Sequence, residues 1–112
     1  MYFQLENGKL YCWQWDIRQR IVVDDLEADL QMPYFLIGNN KNKEGLYKVK
    51  ISKEGDVNYV SIPDEVLQIE GHADVYLYDE TTGTTILAWR FTIKKKAKPK
   101  DYVYEETDII TL

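Results

Sequence analysis

His72 and Cys12 are the side chains best suited to nucleophilic or acid–base chemistry, and each is the single residue of its type in the sequence. His72 follows Gly71 at an expected turn, with no second imidazole and no GxSxG serine to complete a catalytic set. We therefore predict an ordinary surface histidine. Cys12 lies between Tyr11 and Trp13, and a thiol in apolar surroundings without a neighbouring cation is inert. Neither residue predicts an enzyme.

Metal and phosphate sites find little support in the spacing of the other residues. An acidic cluster lies at Asp24, Asp25, Glu27 and Asp29. It lacks the glycine and the terminal glutamate of a calcium loop, so a solvated turn is predicted. The glycines form neither GxGxxG nor GxxxxGK, and a single cysteine allows neither an intrachain disulfide nor a cysteine zinc cluster. We expect no enzymatic activity, no cofactor and no metal.

Aromatic residues are the unusual part of the composition, with nine tyrosines and three tryptophans in 112 residues. Trp13 and Trp15 are two apart, which places them on one face of a predicted strand. Such a pair can form a platform on which sugars stack, or it can pack into the core. Large aromatics with polar tips are also favoured at protein interfaces.

The charge of the chain argues against two classes of partner. The net charge is −5 with a pI near 4.8, so phosphate backbones and anionic lipid surfaces repel the protein, and we expect neither nucleic acid nor membrane as a partner. The basic run at residues 94–100 is followed by acidic residues, and lysines at a strand end commonly block edge-to-edge pairing. No signal-peptide pattern opens the sequence, so synthesis in the cytoplasm is expected.

The elements that position these residues are strands, because apolar side chains repeat with period two. Residues 46–51 and 57–62 alternate in this way around Gly55, which predicts a first hairpin. Residues 73–78 and 85–93 flank a turn and predict a second. The expected core residues are Val49, Ile51, Val60, Val75, Leu77, Leu87, Trp89, Phe91 and Ile93.

Three further segments complete the predicted set of strands. Residues 9–15 and 17–23 are rich in aromatic and β-branched types. Residues 30–37 contain Pro33, which predicts an edge strand or a bulged one. A short helical turn is predicted over residues 63–68. About seven strands in so short a chain indicate an all-β domain, either a sandwich or a small barrel.

The C-terminal residues differ in character from the rest. We predict one β domain over residues 1–97 and an extended arm, or a linker to a following region, over residues 98–112. Tyr102 and Tyr104 alternate within the arm in strand fashion. An isolated extended segment frays in water, so its aromatic content indicates that it is held against this domain or against another subunit.

Three segments together resemble a known group of proteins. Residues 15–23, WDIRQRIVV, are similar to an aromatic strand that runs into WDxxQ, and residues 60–68, VSIPDEVLQ, are similar to a central IPDExL turn. Residues 98–107, KPKDYVYEET, resemble a closing KPxDYxYTET segment. In this order and spacing they resemble the N-terminal, immunoglobulin-like domains of phage minor structural or fibre proteins. One departure lies at residues 30–37, where many relatives have a short EVHFSN-like strand.

The resemblance implies an immunoglobulin-like antiparallel β-sandwich without catalytic residues. It implies a virion location and attachment of a fibre to capsid or tail proteins through protein–protein contacts, with a homo-oligomer such as a trimer among the options. Members of the group usually continue into a coiled or fibrous part, so this chain is expected to be the anchoring domain. The expected partner contacts are Trp13, Trp15, Lys98, Pro99, Tyr102 and Tyr104.

Two other classes of function fit the residues. The first is a carbohydrate- or receptor-binding module that uses Trp13 and Trp15 as exposed aromatics. The second is an enzyme accessory protein or inhibitor encoded by a mobile element. A coplanar, exposed pair of tryptophans favours the carbohydrate module, whereas buried tryptophans beside an ordered arm favour the virion domain.

Overall fold

Two β-sheets packed against each other form the protein, whose computed structural model describes residues 2–26, 30–42, 45–107 and 109–110. The first sheet has four strands, in the order β1 (Tyr2–Leu5), β3 (Arg20–Asp24), β7 (Val57–Ser61) and β6 (Ser52–Glu54). The second has six, in the order β10 (Ile109–Ile110), β5 (Leu46–Val49), β4 (Pro33–Asn39), β8 (Gly71–Asp79), β9 (Thr84–Lys94) and β2 (Tyr11–Trp13). A 3-10 turn over Asp64–Gln68 follows β7.

The core lies between the two sheets and is lined by alternate residues of their strands. Ile21 and Val23 of β3 and Val75 and Leu77 of β8 are almost fully buried and belong to one core cluster. Val66 and Leu67 of the 3-10 turn join the same cluster. The all-β sandwich is therefore confirmed, and the small barrel is not the architecture.

The second predicted hairpin is confirmed by the pairing of β8 with β9 along their whole length. The predicted helical turn is also present, directly after Pro63. Val60, Val75, Leu77, Phe91 and Ile93 are buried as expected. Period-two alternation is a good predictor here because each of these strands has one face on the core.

Leu87 is the wrong member of the predicted core, since its side chain is 39% exposed. A bulge separates the Leu77–Leu87 pair from the Tyr78–Thr85 pair and leaves Ile86 as an extra residue in β9. Ile86 packs against the core in its place. Three other predicted core residues, Val49, Ile51 and Trp89, are only partly buried at its margin.

The predicted hairpin of residues 46–51 with residues 57–62 is wrong. β5 pairs with β4 in the six-stranded sheet, whereas β7 pairs with β6 and β3 in the other. The chain crosses from one sheet to the other at Lys50 and Ile51, and residues assigned to the turn form β6. Gly55, with φ of +61°, makes the tight turn between β6 and β7 instead.

β4 is a central strand, so the prediction of an edge or bulged strand at residues 30–37 is also wrong. It pairs with β5 on one side and with all seven of its residues to β8 on the other. Pro33 is the first residue of β4, a position at which a proline does not interrupt the ladder. Phe35 and Ile37 belong to the core cluster, and Leu36, whose side chain points to the other face of β4, is also buried.

The described residues form ten strands rather than about seven. β1, β6 and β10 lie outside the predicted segments of core strands, and they have four, three and two residues. β2 and β3 are shorter than the predicted segments 9–15 and 17–23. β2 also pairs in parallel with β9, a non-local contact that no local pattern encodes.

Leu77 and Leu87 are register partners of the same residue type and test the corrected core. Leu77→Ala should lower the free energy of unfolding by about 2 to 5 kcal/mol, because its side chain is fully buried. Leu87→Ala should cost less than about 1 kcal/mol, as an exposed position does. Urea unfolding of both variants measures the difference, and equal costs would contradict this description of the core.

Candidate functional site

The C-terminal arm folds back along the domain from which it leaves. At the end of β9 the Lys94 carbonyl accepts the backbone N–H of Gln14 at 2.7 Å. Residues 98–107 then lie beside the 3-10 turn, and Ile109–Ile110 pair with β5. The arm is thus ordered on its own domain over the part that the structure describes.

The start of the arm packs against Trp15. β2 ends at Trp13, and Trp15 lies in the following turn with φ of +70°, a left-handed conformation that is costly for a bulky side chain. Its backbone N–H donates to the Leu67 carbonyl at 2.8 Å, and its indole N–H donates to the Lys96 carbonyl at 3.0 Å. These bonds tie β2, the 3-10 turn and the start of the arm together.

Tyr102 packs on Trp15 and holds the first half of the arm. Its ring meets Trp15 edge-on at 5.3 Å between centroids, and the Gln68 amide donates to its hydroxyl at 3.3 Å. Partial burial, with smaller contributions from Asp64, Glu65 and Tyr104, raises the pKa of the Tyr102 phenol against the opposing effect of the Gln68 hydrogen bond.

Two carboxylates of the 3-10 turn receive the second half of the arm. Asp64 accepts the backbone N–H of Glu105 at 3.4 Å and that of Arg18 at 3.1 Å. Glu65 accepts the backbone N–H of Thr107 at 2.6 Å. We call Trp15, Asp64, Glu65 and Gln68 the arm socket.

The socket brings together most of the residues predicted as partner contacts. The Lys98 ammonium lies 5.2 Å from the Trp15 ring centroid and 5.9 Å from that of Tyr102. Tyr104 stacks on Tyr102 at 5.7 Å and is 41% exposed. The Pro99 carbonyl accepts the backbone N–H of Tyr102 at 3.3 Å. Lys98, Tyr102 and Tyr104 therefore form a row of side chains along the arm itself.

Trp13 lies apart from this row, and the predicted shared strand face of Trp13 and Trp15 is wrong. β2 ends between them, so Trp15 turns away into the socket. The Trp13 ring meets Tyr11 edge-on at 5.8 Å, and the Lys94 ammonium lies over both rings. These contacts form a separate aromatic patch at the β2 edge, not a coplanar pair with Trp15.

A cleft of about 600 Å³ opens next to the arm, between the two sheets. It is lined by the basic side chains of Arg18, Arg20, Lys48 and Lys50. Arg20 is paired with Glu6 and Glu54, and these partners raise its pKa. Glu105 and Thr107 of the arm also line the cleft, so the arm forms part of its wall.

The two candidates for nucleophilic or acid–base chemistry, Cys12 and His72, both lie in strands of the six-stranded sheet. Cys12 is fully buried, and burial raises the pKa of its thiol to about 12, with a smaller contribution from Asp16. His72 is not at a turn as predicted; it lies in β8 opposite Thr92, half-buried, and its Nδ1 has no hydrogen-bond partner among the described residues. Within those same residues no group of three or more His, Cys, Asp or Glu side chains is placed to hold a metal ion. Of the acidic cluster, Asp24 and Asp25 are exposed, while Glu27 and Asp29 lie outside the described residues.

Sequence reasoning missed the carboxylates and the amide that hold the arm. Asp64, Glu65 and Gln68 were predicted only as parts of a helical turn. All three lie in residues 60–68, one of the segments that resemble the phage group, so the resemblance could have identified them. Trp15 and Tyr102 lie in the other two segments. That all three segments meet at one site follows from the fold alone.

No family model matches this chain, and neither a curated protein nor a solved structure matches it. In the described part of the chain, no helix has the length and apolar character needed to cross a membrane.

Tyr102→Ala tests whether the socket holds the arm. The substitution removes the contact with Trp15 and the Gln68 hydrogen bond. The amides of Glu105 and Thr107 should then lose hydrogen-exchange protection by about tenfold or more, because a tenfold loss corresponds to the net free energy of roughly one to two hydrogen bonds. Tyr2→Ala, at an exposed tyrosine of β1, is the matched control and should change neither amide. Unchanged protection in Tyr102→Ala would show that the arm is held elsewhere.

Cys12 should resist alkylation at pH 9.0, where an ordinary cysteine is half ionised. The pKa of about 12 exceeds the ordinary value of 9.0, so stability from this group is present below pH 9.0 and is lost as the pH rises towards 12. Mass spectrometry after iodoacetamide treatment should find the thiol unmodified in the folded protein and modified in urea. Rapid modification of the folded protein would contradict its burial.

Proposed function

We propose that this protein is a phage virion structural protein, an attachment domain that anchors a fibre to the capsid or tail through protein–protein contacts. One observation carries the proposal. The three segments that resemble the phage group, residues 15–23, 60–68 and 98–107, meet in the arm socket, where they contact one another through Trp15, Asp64 and Tyr102. Because the three segments form one site, we expect that site to serve the function that the resemblance implies.

The sandwich that we propose is an immunoglobulin-like one, and the order of its strands supports this. Immunoglobulin sandwiches place strands A, B, E and D in one sheet and C, F and G in the other. If β1, β3, β7 and β6 are A, B, E and D, the first sheet has this order. With β4, β8 and β9 as C, F and G, the second sheet has it too, and β5 takes the place of the additional strand beside C.

The physical properties of the socket suit an attachment domain. Because Trp15 and Tyr102 fix the first half of the arm, a fibre that continues from it leaves the domain in a defined direction. A defined exit direction keeps the fibre at a fixed angle to the surface to which the domain is attached. An extended arm can also join a neighbour's sheet edge and gain main-chain hydrogen bonds.

The proposed partners are other virion proteins, either of the capsid or of the tail. Tryptophan, tyrosine and arginine side chains carry most of the binding energy at such contacts. The arm itself offers the exposed Lys98 and Tyr104 and the partly buried Tyr102, and the β2 patch offers Trp13. The net charge of −5 leaves nucleic acid and membrane outside the proposal.

Particles that carry a tagged copy of this protein test the proposal. The full chain should copurify with phage particles through density-gradient centrifugation at a fixed number of copies per particle. Deletion of residues 101–112 should leave the sandwich folded, because none of the described residues of that segment belongs to the core cluster, yet reduce incorporation at least tenfold, about the effect of losing 1.4 kcal/mol of contact.

Tyr2→Ala serves here as the folded control, since Tyr2 is exposed on β1, and it should be incorporated normally. Absence of the full chain from purified particles would overturn the proposed function. Normal incorporation of the truncated chain would move the attachment surface away from the arm, to the aromatic patch at the β2 edge.

A further inference from the structure

We propose that the aromatic patch at the β2 edge, together with Lys9 and Leu10 beside it, docks an acidic surface of a partner protein. We call these two residues, with Tyr11, Trp13 and Lys94, the docking surface. The proposal rests on the proposed function and deepens it, because it gives the chemistry of the capsid or tail surface that the body of the domain contacts. It adds this contact to the one proposed for the arm.

The outward face of β2 presents the two aromatic rings of the docking surface. Cys12 belongs to the core cluster, so Tyr11 and Trp13 on either side of it point away from the core. Trp13 is 39% exposed, and Leu10, directly before β2, is 83% exposed. Tryptophan and tyrosine are enriched at the centres of protein interfaces, where their large rings are covered by the partner.

Two ammonium groups converge on the ring of Tyr11. The Lys94 Nζ lies 3.7 Å from the ring centroid, and the Lys9 Nζ lies 5.5 Å from it. A carboxylate that approaches this ring is attracted by both charges at once. The chain as a whole carries a net charge of −5, so the local charge here is opposite to that of the molecule. Charge complementarity therefore selects an acidic partner surface.

Side chains of the same molecule occupy the outer backbone edge of β2. The amide of Asn7 donates to the Tyr11 carbonyl at 3.0 Å, and the backbone N–H of Trp13 donates to the Asp16 carboxylate at 3.0 Å. The same carboxylate pairs with the Lys96 ammonium at 3.2 Å. A strand added to this edge would have to displace these groups. The partner is therefore held by side-chain contacts and not by strand addition.

The geometry of the rings favours a protein over a carbohydrate. Tyr11 and Trp13 meet edge-on, with 86° between their planes, so they do not form the flat platform on which a sugar stacks. The Lys94 ammonium also lies over the Tyr11 ring. The aliphatic side chain of Leu10 adds apolar surface, which a protein interface buries and which sugar hydroxyls do not match.

The outward face of the six-stranded sheet extends the docking surface. A protein interface of standard size buries about 800 Å² on each partner, more than three residues of β2 present. Arg90 points outward from β9, because its neighbour Phe91 is buried. Tyr76 points outward from β8, between the buried Val75 and Leu77. Arginine and tyrosine are among the residue types that carry binding energy at interfaces.

Nuclear magnetic resonance titration of the ¹⁵N-labelled full chain with a random copolymer of glutamate and tyrosine tests the proposal. The copolymer supplies the carboxylates and rings of an acidic protein surface. The amides of Cys12, Trp13 and Lys94 should shift, and the affinity should fall as salt screens the exposed charges. A chain with Lys9→Glu and Lys94→Glu should bind the copolymer about tenfold more weakly or worse. Both lysines are exposed, so its melting temperature should be that of the wild type.

A chain with Lys50→Glu and Lys53→Glu is the matched control. It reverses the same number of charges at exposed positions outside the docking surface, and it should bind the copolymer as the wild type does. Equal losses of affinity in the two double variants would overturn the proposal, because net charge alone would then explain binding. Absence of shifts at the β2 amides would also overturn it. So would tighter binding of polygalacturonate, an acidic polysaccharide, at those amides.

Incorporation into phage particles separates this proposal from the function on which it rests. The chain with Lys9→Glu and Lys94→Glu should be incorporated about tenfold less than the wild type, and the control chain normally. Normal incorporation of both would overturn the docking surface and leave the attachment function standing. Absence of the wild-type chain from particles would overturn the attachment function, whereas the copolymer titration would still decide whether the docking surface binds acidic protein.

Discussion

The backbone of Trp15 is held in the left-handed region, with φ of +70°, by two hydrogen bonds to distant parts of the chain. One bond reaches the Leu67 carbonyl in the 3-10 turn, and the other joins the indole to the Lys96 carbonyl after β9. A bulky residue keeps such a conformation only where its surroundings impose it. The strain at Trp15 is therefore balanced by the contacts that close this end of the sandwich, and the position of the arm depends on them.

Much of the fold follows from alternation in the sequence, and the exceptions have physical causes. The β8–β9 hairpin and its buried residues Val75, Leu77 and Phe91 are encoded locally, by period two and a short turn. The bulge at Ile86 is not encoded in this way, because one extra residue reverses the faces beyond it. β5 could pair with β4 or, in a hairpin, with β7, and the local sequence does not distinguish the two. Tertiary packing decides that β5 joins β4.

The site was less predictable than the fold. Tyr102 and Tyr104 could be identified from an aromatic segment that lies beyond the last core strand. The residues that receive them could be singled out only through the resemblance of residues 60–68, since Asp64, Glu65 and Gln68 lie 34 to 42 positions from their arm partners and no local pattern pairs them. Trp13 and Trp15 show the opposite case, in which a regular two-residue spacing misled because β2 ends between them.

The parallel pairing of β2 with β9 has a mechanical consequence. Tyr11, Cys12 and Trp13 run in the same direction as Thr92, Ile93 and Lys94, and the arm leaves from the end of β9. Tension that pulls the arm away from the N-terminal strands acts along these strands, so their hydrogen bonds are loaded together in shear and do not open one after another. A ladder of this geometry resists a pull along its strands, which is the load that the proposed attachment role would place on it.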